Sequence, residues 1–133
     1  MKKLTAEIVI EEYIRVGEIT RETDKSGDSK KANKEFNKLV RMFKLIEQDM
    51  ELARTIYPVL FLHENYAVRI YAAAASVSLG LYAEEAKNIF EAEANSEDRL
   101  NAFNAKMTLD VWKNRGYLKV YPTQEIRMTK FPE

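Results

Sequence analysis

The chain has 133 residues, of which 46% are hydrophobic and 32% are charged, with 21 basic and 21 acidic side chains. This length is that of one domain, and the balance of apolar and charged residues is typical of a globular protein rather than a disordered one. The net charge of zero argues against a nucleic-acid ligand, because proteins that bind nucleic acids neutralise phosphates with a surplus of Lys and Arg.

The sequence contains no cysteine. This excludes disulfides, thiolate chemistry and cysteine-based zinc sites, and it predicts a cytoplasmic location, since a reducing compartment makes no use of disulfides. Residues 72–83 carry no charge. This stretch is much shorter than the roughly 20 apolar residues that cross a bilayer, so we expect no membrane partner.

The first half of the sequence predicts three helices from the helical spacing of its apolar residues. The first helix follows Leu4 and Thr5, which have the chemistry of a hydrophobic staple and an N-cap. Loop-forming residues at 23–29 separate it from a second helix. A third helix covers residues 47–63, and we expect Pro58 to kink or break it, because proline removes a backbone hydrogen bond.

The second half predicts three more helices and a tail. The fourth helix covers the segment ENYAVRIYAAAASVSLG, residues 64–80, which is apolar on two faces. Such a helix packs between neighbours, and alanine lets helix axes approach closely while it keeps helix propensity high. We therefore expect leucine at Ala73 or Ala74 to overpack the structure. The fifth helix spans residues 83–94 and the sixth spans residues 97–115.

The sequence also matches itself at a shift of 32 residues, which aligns Val68 with Leu100 and Tyr71 with Phe103. Paired helices with a period in this range are typical of α-solenoids. The sequence therefore predicts an all-α fold, a short solenoid of antiparallel helix pairs with about six helices.

The turn before the fourth helix carries the residues of a known repeat. A helix with a proline is followed by a short turn, by N-x-x-V-R (Asn65, Val68 and Arg69) and by an alanine-rich helix. This pattern resembles the HEAT repeat, in which the Asn and the Arg join neighbouring repeats. The resemblance implies the same role for Asn65 and Arg69. The second repeat departs from the pattern at Asn101, where Arg is expected.

The resemblance implies one HEAT-like domain with three parts. Residues 1–46 form an N-terminal capping helix pair, residues 47–116 form two HEAT-like repeats, and residues 117–133 form a non-helical tail. This tail is either extended and docked on the helices or partly disordered.

The longer run of helices also resembles small bacterial HEAT-like domains of uncharacterised function, whose members often occur beside polymorphic toxins. This resemblance implies an immunity protein that binds and neutralises a cognate toxin without catalysis or cofactor. Two alternatives remain open. One is a nucleic-acid-binding or DNA-repair-like HEAT domain, which would use the basic side of the second helix, and the other is a general scaffold or adaptor.

No catalytic motif is recognisable in the sequence. His63 is the only histidine, and the four glycines form neither a phosphate-binding loop nor a nucleophile elbow. The sequence therefore predicts no enzyme activity and no metal site.

The strongest candidate for a partner-binding surface is the acidic segment at residues 81–98, with six acidic side chains and one basic side chain. Complementary charge speeds association, so this segment would suit a basic toxin domain, and a neighbouring tyrosine would serve as an anchor. Solubility alone is the competing explanation of its charge. The candidate partner-binding residues are Tyr66, Tyr82, Glu84, Glu85, Glu91, Glu93, Glu97 and Asp98.

Overall fold

The structure, a computed structural model, describes residues 4–133, and in this part of the chain all regular secondary structure is α-helical. The six helices are α1 (Ala6–Ser26), α2 (Ser29–Ile46), α3 (Met50–Leu60), α4 (Tyr66–Ser78), α5 (Ala83–Ala94) and α6 (Arg99–Arg115). The predicted all-α class with six helices is confirmed. The division into a capping pair and two HEAT-like repeats stays a prediction.

Side-chain caps set where the helices begin. Asp49 Oδ1 accepts a hydrogen bond from the backbone N–H of Leu52 at 3.1 Å. This cap starts α3 at Met50, later than the predicted start at residue 47, because an N-cap residue has non-helical dihedral angles. Asp28 and Asp98 cap α2 and α6 in the same way.

Pro58 lies within α3, and the helix continues through it to Leu60. Proline has no N–H group, so the carbonyl of Arg54, one turn earlier, lacks its helical donor. The hydroxyl of Tyr82 donates a hydrogen bond to this carbonyl at 2.7 Å. Of the two outcomes predicted at Pro58, the break is therefore wrong, because a side chain from another part of the fold satisfies the group that proline leaves free. The kink stays a prediction.

Helix α4 lies at the centre of the fold and packs against α1, α3, α5 and α6. It comes into close contact with α1 at Gly17. A methyl group added to Gly17 would lie 2.4 Å from Val68 Cγ2 and 3.2 Å from the Val68 backbone nitrogen. The two helices can approach this closely only because Gly17 has no side chain.

Polar contacts hold α1 to its other neighbours. Arg15 forms an ion pair with Glu35 of α2 at 2.7 Å, and the guanidinium group lowers the pKa of Glu35 below its ordinary value. The buried hydroxyls of Tyr13 and Tyr57 share a hydrogen bond of 2.8 Å between α1 and α3. Burial raises the pKa of both tyrosines, which keeps their hydroxyls protonated.

The tail, residues 117–133, has no regular secondary structure but is docked against the helices. Thr129 Oγ1 donates to the Val77 carbonyl at 2.9 Å, and the Thr129 carbonyl accepts from Trp112 Nε1 at 2.7 Å. Phe131 packs edge-to-face against Trp112 with the ring centroids 4.8 Å apart. Of the two alternatives predicted for the tail, the docked one is therefore confirmed.

We expect Gly17→Ala to lower the free energy of unfolding by about 1–3 kcal/mol, since overpacking against Val68 outweighs the gain in helix propensity. Urea unfolding followed by circular dichroism measures this. In the double variant Gly17→Ala/Val68→Ala, the smaller residue at position 68 makes room for the new methyl group. The double variant should therefore lose less free energy of unfolding than the two single variants lose together, by at least about 1 kcal/mol. Additive losses would contradict the close contact.

Candidate functional site

An apolar groove of about 370 Å³ runs along α4. Its floor is formed by one face of α4, with Ile70, Tyr71, Ala74 and Ala75. One wall comes from α1 and α2, with Tyr13, Phe36, Leu39 and Phe43. The other wall comes from α6, with Phe103, Asn104, Met107 and Thr108. Lys119 and Val120 of the tail stand at one end.

The groove is open because its two walls do not meet. Helix α2 packs mainly against α1, and α6 packs mainly against α5. Between these walls the α4 floor presents the short side chains of Ala74 and Ala75, which do not fill the space. The four helices α1, α2, α4 and α6 thus leave a channel of the kind that another helix can occupy.

Side chains on α6 leave an apolar stripe exposed beside the groove. Leu100, Phe103 and Met107 have exposed fractions of 45%, 59% and 51%. In the sequence repeat Leu100 aligns with Val68, which has an exposed fraction of 0%. The difference arises because α1 covers Val68, whereas no helix in residues 4–133 covers this face of α6.

The end of the groove near the start of α4 is polar. The Tyr66 hydroxyl donates to Asp24 Oδ2 at 2.8 Å, and burial together with this carboxylate raises the pKa of Tyr66. The Tyr71 and Thr20 hydroxyls lie 2.8 Å apart. Since Thr20 Oγ1 already donates to a backbone carbonyl of α1, Tyr71 is the donor in this pair.

Asn101 of α6 lines this polar end and is 3% exposed. Its Nδ2 atom is buried without a hydrogen-bond partner among the described residues. Asn101 stands where the HEAT pattern expects Arg. The depression that Asn101 lines has a volume of about 180 Å³ and lies between α1, α2, α4 and α6.

The opposite end of the groove is basic. A depression of about 300 Å³ adjoins it there and shares Ala74, Met107 and Thr108 with the groove. Arg115 and Lys119 also line this depression. The surface along α4 therefore changes from polar, with Asp24, through apolar to basic.

The residues of the HEAT-like pattern lie behind the groove and hold α4 in place. Asn65 Oδ1 accepts a hydrogen bond from the Ala67 N–H at 2.9 Å and so caps α4. Arg69 Nη1 donates to two carbonyls of the preceding turn at 2.8 and 2.9 Å, and Nη2 contacts Glu93 Oε1 of α5 at 2.5 Å. Val68 is fully buried beneath Gly17.

The predicted acidic surface lies on α5 and the turn after it, and none of its acidic side chains lines the groove. Its exposed members are Glu84, Glu85, Glu91, Glu97 and Asp98. Glu84 and Glu85 occupy the first turn of α5, where the helix dipole favours negative charge. Glu93 differs from the group, because it is 7% exposed and paired with Arg69, and so it lies in the interior.

The two candidate tyrosines have different environments. Tyr66 lines the polar end of the groove. Tyr82 has a left-handed backbone with φ of 55°, and its ring packs edge-to-face against Phe61 with centroids 5.9 Å apart. With its hydroxyl bound to the Arg54 carbonyl, Tyr82 joins the start of α5 to α3 and so has a structural role in the fold.

The basic side of α2, predicted as the surface for the nucleic-acid alternative, is partly engaged within the chain. Lys38 forms an ion pair with Glu35 at 3.3 Å, and Lys44 lies over the ring of Tyr121 at 4.7 Å from its centroid. A hydrogen bond to Glu47 raises the pKa of Tyr121 to about 12. The remaining basic side chains on this side, Lys30, Lys34 and Arg41, are exposed.

Sequence reasoning missed the groove residues, above all Phe36, Phe103, Met107 and Lys119. Their apolar members have the same helical spacing as core residues, so periodicity alone assigns them to the core. One available signal was that α6 carries two apolar stripes. The stripe with Ala105, Leu109 and Trp112 is buried, and the other is exposed.

Within residues 4–133, no three His, Asp or Glu side chains are grouped so as to hold a metal ion. No helix in the same residues combines the length and apolar character needed to cross a bilayer.

Comparison of the chain with protein-family models, curated proteins and solved structures finds no match.

Ala73 and Ala74 should respond differently to replacement by leucine, although the sequence predicted overpacking at both. Ala73 is 0% exposed, whereas Ala74 is half-buried on the groove floor. We expect Ala73→Leu to cost about 1–3 kcal/mol of stability, and Ala74→Leu to change it by less than about 1 kcal/mol while filling the groove. Urea unfolding of both variants tests this. Equal losses of stability would show that position 74 has no free space for a larger side chain.

Proposed function

We propose that this protein is a binding module that holds a helical segment of a partner protein in the groove along α4, without catalysis and without a cofactor. The observation that carries the proposal is the apolar groove with exposed Phe103 and Met107 on its wall. Contiguous apolar surface is costly to leave in water, and where it persists it commonly marks an interaction site.

The shape of the groove favours a helix as the occupant. Its floor, α4, lies between two helical walls, and Ala74 with Ala75 allows the axis of an incoming helix to come close to α4. Apolar side chains of that helix would meet Phe36 on one wall and Phe103 on the other. This is the helix-in-groove mode, in which residues at helical spacing anchor the ligand.

Burial of the groove wall supplies a measurable driving force. Phe103 and Met107 are each more than half exposed. Complete burial of such a side chain is worth about 1.5–3 kcal/mol, so covering their exposed parts contributes about 1–2 kcal/mol each. Together they would change affinity by at least about tenfold.

A narrower form of the proposal is an immunity protein in the cytoplasm that neutralises a cognate toxin. The resemblance to HEAT-like domains found beside toxins supports this role. The exposed acidic side chains of α5 would attract a basic toxin, and the groove would hold one of its helices.

The groove itself is tested by selection from a displayed library of amphipathic peptides about 14 residues long, a length of roughly four helical turns. We expect selected peptides to bind the unmodified protein and to lose about tenfold or more in affinity on Phe103→Ala/Met107→Ala. Leu62→Ala is the matched control, since Leu62 is 89% exposed and lines no part of the groove. It should leave affinity unchanged.

Either of two outcomes would overturn the proposal. One is failure to select any peptide whose binding depends on Phe103 and Met107. The other is self-association of the free protein that the double variant abolishes, seen by sedimentation, since the groove would then hold a second copy.

The immunity role is tested by co-expression with a toxin encoded beside the gene of this protein. We expect the protein to restore growth and to form a complex with the toxin that survives purification. The variant Ala74→Leu, which fills the groove, should lose this protection while remaining folded. If the protein neither restores growth nor forms a complex with the neighbouring toxin, the immunity role is excluded. The groove proposal is then still in place.

A further inference from the structure

The charged side chains that line the groove differ between its two ends. Among the described residues that line the groove and its two adjoining depressions, the acidic one is Asp24 and the basic ones are Arg115 and Lys119. Asp24 lies beside the start of α4, and the two basic residues lie at the other end. A ligand along α4 thus meets opposite charge at its two ends.

The charged side chains at the basic end have no ion-pair partners among the described residues. Asp24 accepts a hydrogen bond from the Tyr66 hydroxyl at 2.8 Å. By contrast, the ion pairs in residues 4–133 involve Arg15, Lys38 and Arg69, and neither Arg115 nor Lys119 takes part in one. Both side chains are exposed.

A purely structural role accounts for Arg115 better than for Lys119. Arg115 is the last residue of α6, where a positive charge interacts favourably with the helix dipole. Lys119 lies beyond the helix, in the tail, and within residues 4–133 its Nζ atom donates one hydrogen bond, to the Pro122 carbonyl at 3.2 Å. The helix dipole therefore does not explain the position of Lys119.

The tail holds Lys119 at the end of the groove. Leu118 on one side is 6% exposed and belongs to the core. Val120 on the other side lines the groove, and its N–H donates to Gln124 Oε1 at 2.6 Å. Fixed neighbours on both sides place the lysine backbone before any ligand binds, which lowers the entropy lost on binding.

From this arrangement we propose that the partner helix carries carboxylate side chains in its last turn and runs in the same direction as α4. Those carboxylates lie over Arg115 and Lys119. The negative end of the partner helix's dipole lies over the same two residues, and its positive end lies near Asp24. The side-chain charges and the dipole of the partner helix therefore favour the same orientation. This inference rests on the proposed function, since it assigns the chemistry of the groove ligand.

The length of α4 sets the size of that helix. The lining residues of α4 run from Tyr66 to Ala75, which spans about 15 Å at the rise of an α-helix. A helix of about three turns therefore reaches from Asp24 to the basic end. Apolar residues at helical spacing would occupy its middle, over Phe36 and Phe103.

Four variants of one peptide test the inference. The parent is a peptide selected on the groove, acetylated and amidated at its termini. The variants carry a Glu pair, a Gln pair or a Lys pair in the last turn, or a Glu pair in the first turn. We expect the last-turn Glu peptide to bind about threefold to tenfold more tightly than the Gln peptide at low salt, measured by fluorescence anisotropy. The difference should shrink at high salt.

Charge reversal on the protein provides the reciprocal measurement. Arg115→Glu/Lys119→Glu should invert the order, so that the Lys peptide binds more tightly than the Glu peptide. The matched control is Lys30→Glu/Lys34→Glu, which makes the same change in net charge on exposed residues outside the groove. This control should keep the original order.

The outcomes separate the two proposals. If no parent peptide binds the groove, the proposed function itself fails. If the parent binds but all four variants bind equally, or if the reversal at Arg115 and Lys119 has no more effect than the control, the charge inference fails alone. Tighter binding of the first-turn Glu peptide than of the last-turn one would overturn the assigned direction.

Discussion

The close contact of α1 with α4 at Gly17 is the constraint on which the rest of the structure depends. Gly17 lets Val68 and the α4 backbone approach α1 more closely than any side chain would allow. On another side of α4, Arg69 donates to the preceding turn and contacts Glu93 of α5. The C-terminal end of α4 then offers the Val77 carbonyl to Thr129 of the tail. A single missing side chain thus permits the central position of α4.

The groove follows from the same geometry. Small residues let α4 pack tightly on its buried faces, and on its remaining face the same kind of residue leaves space. Ala72 and Ala73 are fully buried, whereas Ala74 forms part of the groove floor. The tail, docked through Trp112, places Lys119 at one end of the groove. Alanine on α4 therefore serves both in buried helix contacts and on the groove floor. Whether an alanine is buried or open depends on whether a neighbouring helix lies against it.

Much of the fold was predictable, because helix formation depends on local patterns that the sequence states directly. Periodicity and the capping residue Thr5 indicated the helices. The break predicted at Pro58 was wrong, because the hydrogen-bond donor that satisfies the Arg54 carbonyl of α3 comes from Tyr82, distant in sequence. The candidate site was less predictable. The acidic group included Glu93, whose burial depends on Arg69, and the groove residues were indistinguishable from core residues by spacing alone.

The sequence by itself determined the helical class, the number of helices and the central place of the alanine-rich segment, since propensity, caps and apolar spacing act within a few residues of each other. Only the tertiary structure decided which apolar faces are covered. Val68 and Leu100 are equivalent in the sequence repeat, yet one is buried and the other is 45% exposed. Burial depends on whether another helix lies against a face, and that is a property of the packed chain rather than of the segment.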